Sequence, residues 1–302
     1  LRFNGGGLLD QAIQVADQFL PDGSKIVETR GRTRESFQEY YATTRYDELD
    51  MPVVVLVNHG TASAAEILAG AIQDHDIGLI VGTPTWGKGL VQTVYSLSYQ
   101  SGIALTTAKY YTPSGRLIQR DYSSWFDYTN NTNGARSNGG QPVGQAFRTD
   151  LGREVYGGGG ITPDIEVEGR EISSLLQYLL SRSAFFDFAN AYTSRNPIES
   201  PQWKPTPELM AEFRAWLLDQ GLATEQEVAG LDEEGDAEMA ERYLHAEIFN
   251  SAFGIEARYQ VLAAGDQQVV RGLEAFDEAT RLLATRRELD SGEQRTAAAA
   301  GF

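Results

Sequence analysis

The chain has 302 residues, of which 42 are acidic and 25 are basic, so its formal net charge is −17 at pH 7. An acidic surface of this kind argues against non-specific binding to nucleic acid or anionic lipid, because both are negatively charged. The absence of cysteine excludes disulfides and thiolate metal sites, and the length allows one core domain and a second unit.

The first predicted element is a glycine turn that leads into an amphipathic helix. Glycines occupy positions 5–7 after Asn4, and apolar residues then recur over one broad helical face: Leu8, Leu9, Ile13, Val15, Ala16, Phe19 and Leu20. Glycines before a helix allow backbone amides to approach a ligand closely. A plain tight turn explains the same local sequence equally well.

After a strand at 25–30 and a polar hairpin or loop at 31–50, the sequence predicts a strand, a tight turn and a helix. The apolar run Val53–Val57 forms the strand, and Ser63 lies where the helix begins. Such a turn presents a hydroxyl at the positive end of a helix, as in nucleophile elbows. The alternative is a capping box, in which Glu66 reaches back to the Ser63 amide. His59 is a weaker candidate for a base, because nothing nearby marks an acid that would orient it.

A second apolar run at 77–81 predicts another strand, and a lysine in an unusual setting follows it. Lys88 lies between Gly87 and Gly89, with Trp86 close by, and is one of only four lysines in the chain. A solvated surface lysine would not need such neighbours. We expect burial here to favour the neutral amine, which could then take a proton from a serine.

The residues after Lys88 extend this hypothesis. If the lysine belongs to a strand, positions 88, 90 and 92 share a face, and Gln92 could hydrogen-bond the amine and fix its direction. Residues 82–88 also match G-x-x-x-x-G-K, the start of a phosphate-binding loop. That interpretation fails, because Gly89 stands where Ser or Thr should follow and the next segment is predicted to be a strand.

Composition divides the chain into four segments. We predict a core at 1–121, a Gly/Asn/Ser-rich loop or insertion at 122–160, a strand that returns to the core at 161–170, and an acidic helical region at 171–302. The last segment carries 23 acidic and 11 basic residues. Apolar residues recur there at helical spacing, as in Leu209, Phe213, Trp216 and Leu217. These stripes indicate helix packing, in a structural or oligomer-contacting appendage.

The chain resembles the C-terminal processing peptidases, or tail-specific proteases, which are Ser-Lys endopeptidases. Five stretches match in order and spacing: LRFNGGGLLDQAIQVADQFLP at 1–21, PVVVLVNHGTASAAEILAGAIQDH at 52–75, GTPTWGKGLVQTV at 82–94, LTTAKYYTPSGRLIQ at 105–119 and GGITPDIEV at 159–167. Two positions depart from the family pattern, Gly5 in place of proline and Ala65 in place of serine. The resemblance covers roughly the first 170 residues.

The resemblance implies a role for each candidate residue. Ser63 would be the nucleophile, Lys88 the general base and Gln92 the residue that orients it. The amides of Gly6 and Ala64 would form the oxyanion hole.

The same resemblance implies a fold and a setting for the protein. It implies an α/β fold with a layered ββα core of the crotonase and Clp-protease type, here N-terminally truncated and without a PDZ domain. Protein substrates would be cleaved near their C-termini, in the bacterial periplasm or cell envelope, without a cofactor or metal. A homo-oligomer and a membrane-associated longer form are compatible with it.

Two functions from other classes compete with the peptidase. One is a non-catalytic module that binds peptides or small ligands on the same fold, which the intact Ser63, Lys88 and Gln92 argue against. The other is a crotonase-like enzyme acting on an acyl-thioester. Such an enzyme would bind an adenine nucleotide, and the sequence shows no basic cluster to hold one.

Overall fold

The structure is a computed structural model that describes residues 1–43, 51–122, 144–170, 172–231 and 236–300. It contains two compact units. The first consists of Leu1–Glu168 together with Arg271–Phe302, and the second consists of Gly169–Val270. The α/β core and the helical region expected from the sequence are both present.

The elements follow one another as the apolar patterns indicate. The strands are β1 (Lys25–Gly31), β2 (Gln38–Tyr41), β3 (Val53–Val57), β4 (Gly78–Gly82), β5 (Leu90–Ser96), β6 (Gly102–Tyr111), β7 (Ala146–Arg148), β8 (Glu154–Tyr156) and β9 (Ile165–Glu166). The helices are α1 (Leu9–Ala16), α2 (Ala64–Asp74), α3 (Ser174–Ser181), α4 (Ala184–Thr193), α5 (Pro207–Asp219), α6 (Glu225–Gly230), α7 (Asp236–Phe253), α8 (Ile255–Ala264), α9 (Gln267–Glu274) and α10 (Phe276–Ala300).

Two sheets organise the first unit. An antiparallel sheet has the strand order β2-β1-β6-β5, and a parallel sheet has the order β3-β4-β9. β3 and β4 pair from Val53 opposite Gly78 to Val57 opposite Gly82. The loops after these two strands therefore leave the same edge of the parallel sheet, and they carry the serine and the lysine singled out by the sequence.

Helices cover both faces of the parallel sheet, which explains why β3 and β4 are apolar throughout. Ile80 belongs to the same core cluster as Ile67 and Ile72 of α2. Its neighbours Leu79 and Val81 point the other way and belong to a cluster with Ala275 and Ala279. This packing places the end of the chain in the first unit, whereas the sequence assigned all of 171–302 to one helical region.

The described part of the segment predicted as a loop or insertion contains a hairpin. β7 and β8 pair from Ala146 opposite Tyr156 to Arg148 opposite Glu154, while residues 123–143 lie outside the described part of the chain. β9 then pairs with β4 in parallel, within the segment predicted to return to the core. The Asp164 carboxylate fixes this return, because it accepts the Ile80 N–H at 2.7 Å.

The second unit is helical, and aromatic side chains fill its core. The rings of Phe185 and Phe188 each lie 5.1 Å from the ring of Phe213. The acidic residues of its helices lie mainly outside this cluster. Across both units, none of the helices described is long and apolar enough to cross a membrane.

Candidate active site

The turn after β3 holds Ser63 in a strained conformation. β3 ends at Val57, and α2 begins at Ala64. Ser63 has φ 58° and ψ −120°, a backbone geometry that residues with a side chain rarely adopt and that is concentrated at functional sites. The serine is half-buried. The structure therefore has the sharp strand-to-helix bend that the sequence predicted for a nucleophile elbow.

Glu66 connects the Ser63 turn to the loop that carries Lys88. Its buried Oε2 accepts the Ser63 N–H at 2.7 Å and the Lys88 N–H at 2.9 Å. Its Oε1 accepts the Gly87 N–H at 2.7 Å and the Thr85 hydroxyl at 2.5 Å. Burial raises the pKa of Glu66, and these four hydrogen bonds act in the opposite direction. The capping function expected of Glu66 is thus only one part of its role.

The sequence did not indicate that Glu66 also binds the loop that carries Lys88. The pattern Ser-x-x-Glu indicated a glutamate that reaches back to the helix start, and the structure has that contact. The contacts to positions 85, 87 and 88 join residues about twenty positions apart, so no local pattern could have revealed them. The one available signal was a glutamate among the small and apolar residues of Ala64–Ile72.

The loop around Lys88 is fixed by close backbone approaches at both glycines. Gly87 has φ +84°, and a Cβ there would lie 3.0 Å from the Gly160 nitrogen. A Cβ on Gly89 would lie 2.8 Å from the Gln119 nitrogen, and the Gly89 N–H donates to the Gln119 side chain at 2.8 Å. The two glycines beside Lys88 therefore allow this loop to pack closely against the backbone of neighbouring segments.

Lys88 itself is half-buried rather than fully enclosed. The Trp86 ring, which we expected to cover the amine, carries the Arg120 guanidinium 4.4 Å from its centroid. Within the described residues, the Lys88 amine has no hydrogen-bond or ion-pair partner. A neighbouring nucleophile would therefore not have to displace a protein group from it.

Gln92 is less closely tied to the site than the sequence suggested. β5 begins at Leu90, so Lys88 lies before the strand and the alternation of side chains does not extend to it. The pairing of β5 with β6 also shifts in register between Val91 and Gln92. The Gln92 side chain is exposed, and its role as the orienting residue stays a prediction.

The structure brings together the two positions predicted to form an oxyanion hole. Gly6 has φ +87°, and a Cβ there would lie 2.7 Å from the Ala64 nitrogen and 2.8 Å from the Ser63 Cβ. Among the residues described, nothing accepts a hydrogen bond from the Ala64 N–H. The Gly6 N–H donates to Asn4 Oδ1 at 3.0 Å. One predicted donor is therefore free, and the other would have to exchange its partner.

The structure gives little support to His59 as the base. His59 is exposed, with its ring edge-on to Phe3 at 6.2 Å between centroids. Over the described ranges, no group of three or more histidine or acidic side chains is arranged to hold a metal ion.

Comparison with known proteins identifies the family of the first part of the chain. Residues 1–123 match peptidase family S41. They are 51% identical over 119 residues to a carboxy-terminal-processing protease of Bartonella bacilliformis, covering 39% of this chain and 27% of that protein. A carboxyl-terminal-processing protease of Synechocystis is 50% identical over 120 residues, covering 40% and 27%. The first 123 residues are therefore similar to peptidase family S41, which confirms the resemblance found in the sequence.

These matches concern only part of the relatives, since the matched segment spans 27% of the length of each. Among solved structures, a photosystem II D1 C-terminal processing protease is 33% identical, covers 55% of this chain and 33% of that one, and has a TM-score of 0.38. A TM-score this low does not establish a shared overall fold. The family assignment rests on the sequence matches.

The second unit has a match of its own. Residues 175–243 match a domain described as the C-terminal helical domain of a probable PDZ-protease. This segment runs from α3 into α7. The packing stripes of the sequence predicted helices here, and the comparison connects these helices with proteases.

Proposed function

We propose that this chain carries the active site of a serine endopeptidase that hydrolyses protein substrates through a Ser-Lys dyad. The observation that carries the proposal is the Glu66 carboxylate, of which a single oxygen accepts the backbone N–H of both Ser63 and Lys88. A serine on a strained bend and a lysine whose amine has no partner among the described residues are thereby held on two adjoining loops. This arrangement suits a nucleophile and its base.

In the proposed reaction, the Ser63 hydroxyl attacks the carbonyl carbon of a peptide bond while Lys88 takes its proton. The carbonyl oxygen becomes an oxyanion, which the amides of Ala64 and Gly6 stabilise; each such donor contributes about 3 kcal/mol to transition-state binding. Lys88 then gives its proton to the leaving amine, and water hydrolyses the acyl-enzyme. Gln92 would orient the lysine amine.

The names of the relatives support substrates cleaved near their C-termini, since both are carboxyl-terminal-processing proteases. They favour the peptidase over a ligand-binding module or an acyl-thioester enzyme. We extend the proposal to the bacterial periplasm or cell envelope as the location and to a possible homo-oligomer. Neither cofactor nor metal takes part in the proposed steps.

Hydrolysis of unfolded β-casein tests the proposal. Because a general base must be deprotonated before it can accept the serine proton, the chain is assayed from about pH 6 to 10, beside Ser63→Ala and Lys88→Ala. Ser98→Ala and Lys204→Ala serve as matched controls, because both residues are exposed and neither belongs to the segments that form the site. We expect cleavage by the wild type and both controls, and none by the two site variants.

Three outcomes would contradict the proposal. Activity in Ser63→Ala would exclude this nucleophile. Activity of Lys88→Ala equal to that of the wild type would move the base elsewhere, and His59 would then be tested. If the folded wild type neither cleaves casein nor becomes phosphonylated on Ser63 by a serine-reactive fluorophosphonate, with loss of fluoride, the ligand-binding alternative takes its place.

A further inference from the structure

A buried amide connects the first residues of the chain to the Ser63 turn. Asn58 follows β3 and is 5% exposed. Its Oδ1 accepts the Phe3 N–H at 2.9 Å and the Gly60 N–H at 3.0 Å. A single side-chain oxygen thus joins two backbone segments that are 55 positions apart. The glycine turn at 5–7 begins two residues after Phe3.

Phe3 needs such an anchor, because its conformation and its side chain do not hold it in place. Its φ of 59° is unfavourable for a residue with a side chain. Its ring is 73% exposed, so burial contributes little to the position of this segment. A hydrogen bond to a buried acceptor supplies the stabilisation that burial of the ring does not, and it fixes the direction in which the chain enters the glycine turn.

Further contacts join the same two segments. The Thr61 hydroxyl accepts the Asn58 N–H at 3.0 Å and donates to the Leu1 carbonyl at 2.9 Å. The Ala62 N–H donates to the Asn4 carbonyl at 2.9 Å. The segments approach so closely that a Cβ on Gly60 would lie 3.0 Å from the Phe3 Cα. The glycine turn is therefore held against the serine turn by specific polar contacts on both sides of Phe3.

We propose that Asn58 is a positioning residue for the oxyanion hole, acting through the Phe3 amide to hold Gly6 beside Ser63 and Ala64. This inference rests on the proposed peptidase function. Asn58 touches neither the substrate nor the reacting atoms. Its removal would let the glycine turn move away from Ala64, so that the oxyanion loses one of its two donors while the nucleophile stays in place.

Asn58→Leu and Asn58→Asp test the proposal against a control. Leucine removes the acceptor, whereas aspartate keeps an oxygen that can accept both N–H groups, and backbone donors stabilise a carboxylate. Thr149→Val is the matched control. The Thr149 hydroxyl is also buried and accepts a backbone N–H, that of Arg153 at 3.0 Å. It lies near the C-terminal end of α2, since the adjacent Asp150 N–H donates to the carbonyl of Asp74.

We measure casein cleavage as kcat and KM, together with hydrogen–deuterium exchange of the 1–9 segment. We expect Asn58→Leu to lower kcat by about 10- to 100-fold with KM little changed, since losing one oxyanion donor outright costs roughly 100- to 1000-fold. Exchange of the 1–9 segment should become faster in the same variant. Asn58→Asp should restore most of kcat, and Thr149→Val should change neither measurement.

Two results would overturn the inference. One is a folded Asn58→Leu variant with the kcat and exchange of the wild type. The other is an Asn58→Asp variant as impaired as Asn58→Leu, because the acceptor would then not be what matters. If the wild type cleaves nothing, the proposed function fails instead, and the exchange measurement still decides whether Asn58 holds the 1–9 segment.

Discussion

Replacing Glu66 tests whether one buried carboxylate holds the serine and lysine loops together. In Glu66→Ala, the backbone N–H groups of Ser63, Gly87 and Lys88 lose their acceptor. Each buried donor left without a partner costs about 1–3 kcal/mol, so three of them cost roughly 3–9 kcal/mol. This is comparable with the whole stability of a domain, about 5–15 kcal/mol. We expect Glu66→Ala to unfold the first unit.

Glu66→Gln should have a smaller effect, which can be derived from the geometry. The amide nitrogen of glutamine can take the place of Oε1, because the Thr85 hydroxyl there can turn and accept from it. The Gly87 N–H and the Thr85 hydroxyl proton, which both donate to Oε1, then lack that acceptor, at a cost of about 1–3 kcal/mol each. The Ser63 and Lys88 amides keep an oxygen at the Oε2 position. The variant should fold, with the segment around Gly87 loosened.

Denaturant unfolding and hydrogen–deuterium exchange of residues 60–90 measure these effects. Glu212→Gln is the control, because the Glu212 carboxylate is 42% exposed and pairs with Arg195 at the surface of the second unit. A surface pair of this kind contributes about 0–1 kcal/mol. If Glu66→Ala matched the control in both measurements, Glu66 would not connect the two loops, and the reasoning would be wrong.

Three other substitutions give separate tests. Gly6→Ala should abolish casein cleavage without unfolding the chain, because the new Cβ would lie 2.7 Å from the Ala64 nitrogen, whereas Gly7→Ala meets nothing within 4 Å and should stay active. Arg116→Met leaves the buried Asp74 carboxylate without its ion pair, in which the two groups lie 2.7 Å apart. It should lower the free energy of unfolding, measured with denaturant, by about 3–5 kcal/mol. Burial opposes a charge on His75, but hydrogen bonds to a carboxylate and a backbone carbonyl raise its pKa above the ordinary 6.5. The stability that these contacts give through the charged imidazole is therefore complete below pH 6.5 and is lost as the pH rises through the folded-state pKa. His75→Gln should flatten the fall in stability that begins above that value.

Each of these three predictions would be contradicted by a specific result. Equal activity of the two glycine variants would remove the glycine turn from the site. Unchanged unfolding of Arg116→Met would mean that the pair is compensated elsewhere. A pH dependence that persists in His75→Gln would assign it to another group.

The sequence by itself determined the local elements of the site. The short β-branched run at Val53–Val57 indicated a buried strand, and the small residues after it indicated a tight turn before a helix. These features placed Ser63 at a strand-to-helix bend, and the glycines around Lys88 indicated a constrained loop. The spacing of apolar residues and the local composition carry this information within about ten or twenty residues. The local elements could therefore be predicted without knowledge of the fold.

The sequence misjudged the surroundings of the lysine. Alternation along a strand suggested that Gln92 and Lys88 share a face, but β5 begins only at Leu90. The reason is that Gly87 and Gly89 turn the chain against neighbouring backbone before the strand starts. Where a strand begins depends on its partner strand, and β6 lies further along the chain.

Tertiary structure alone decided how the elements meet. Glu66 accepts from residues about twenty positions away, and Asn58 joins the turn after β3 to the start of the chain. The last helix returns to cover the second face of the parallel sheet, around Leu79 and Val81. A buried hydrogen-bond acceptor must have a donor, and an apolar sheet face must be covered, because either one costs free energy when it is left unsatisfied. Which residue satisfies it is fixed only when distant segments pack together.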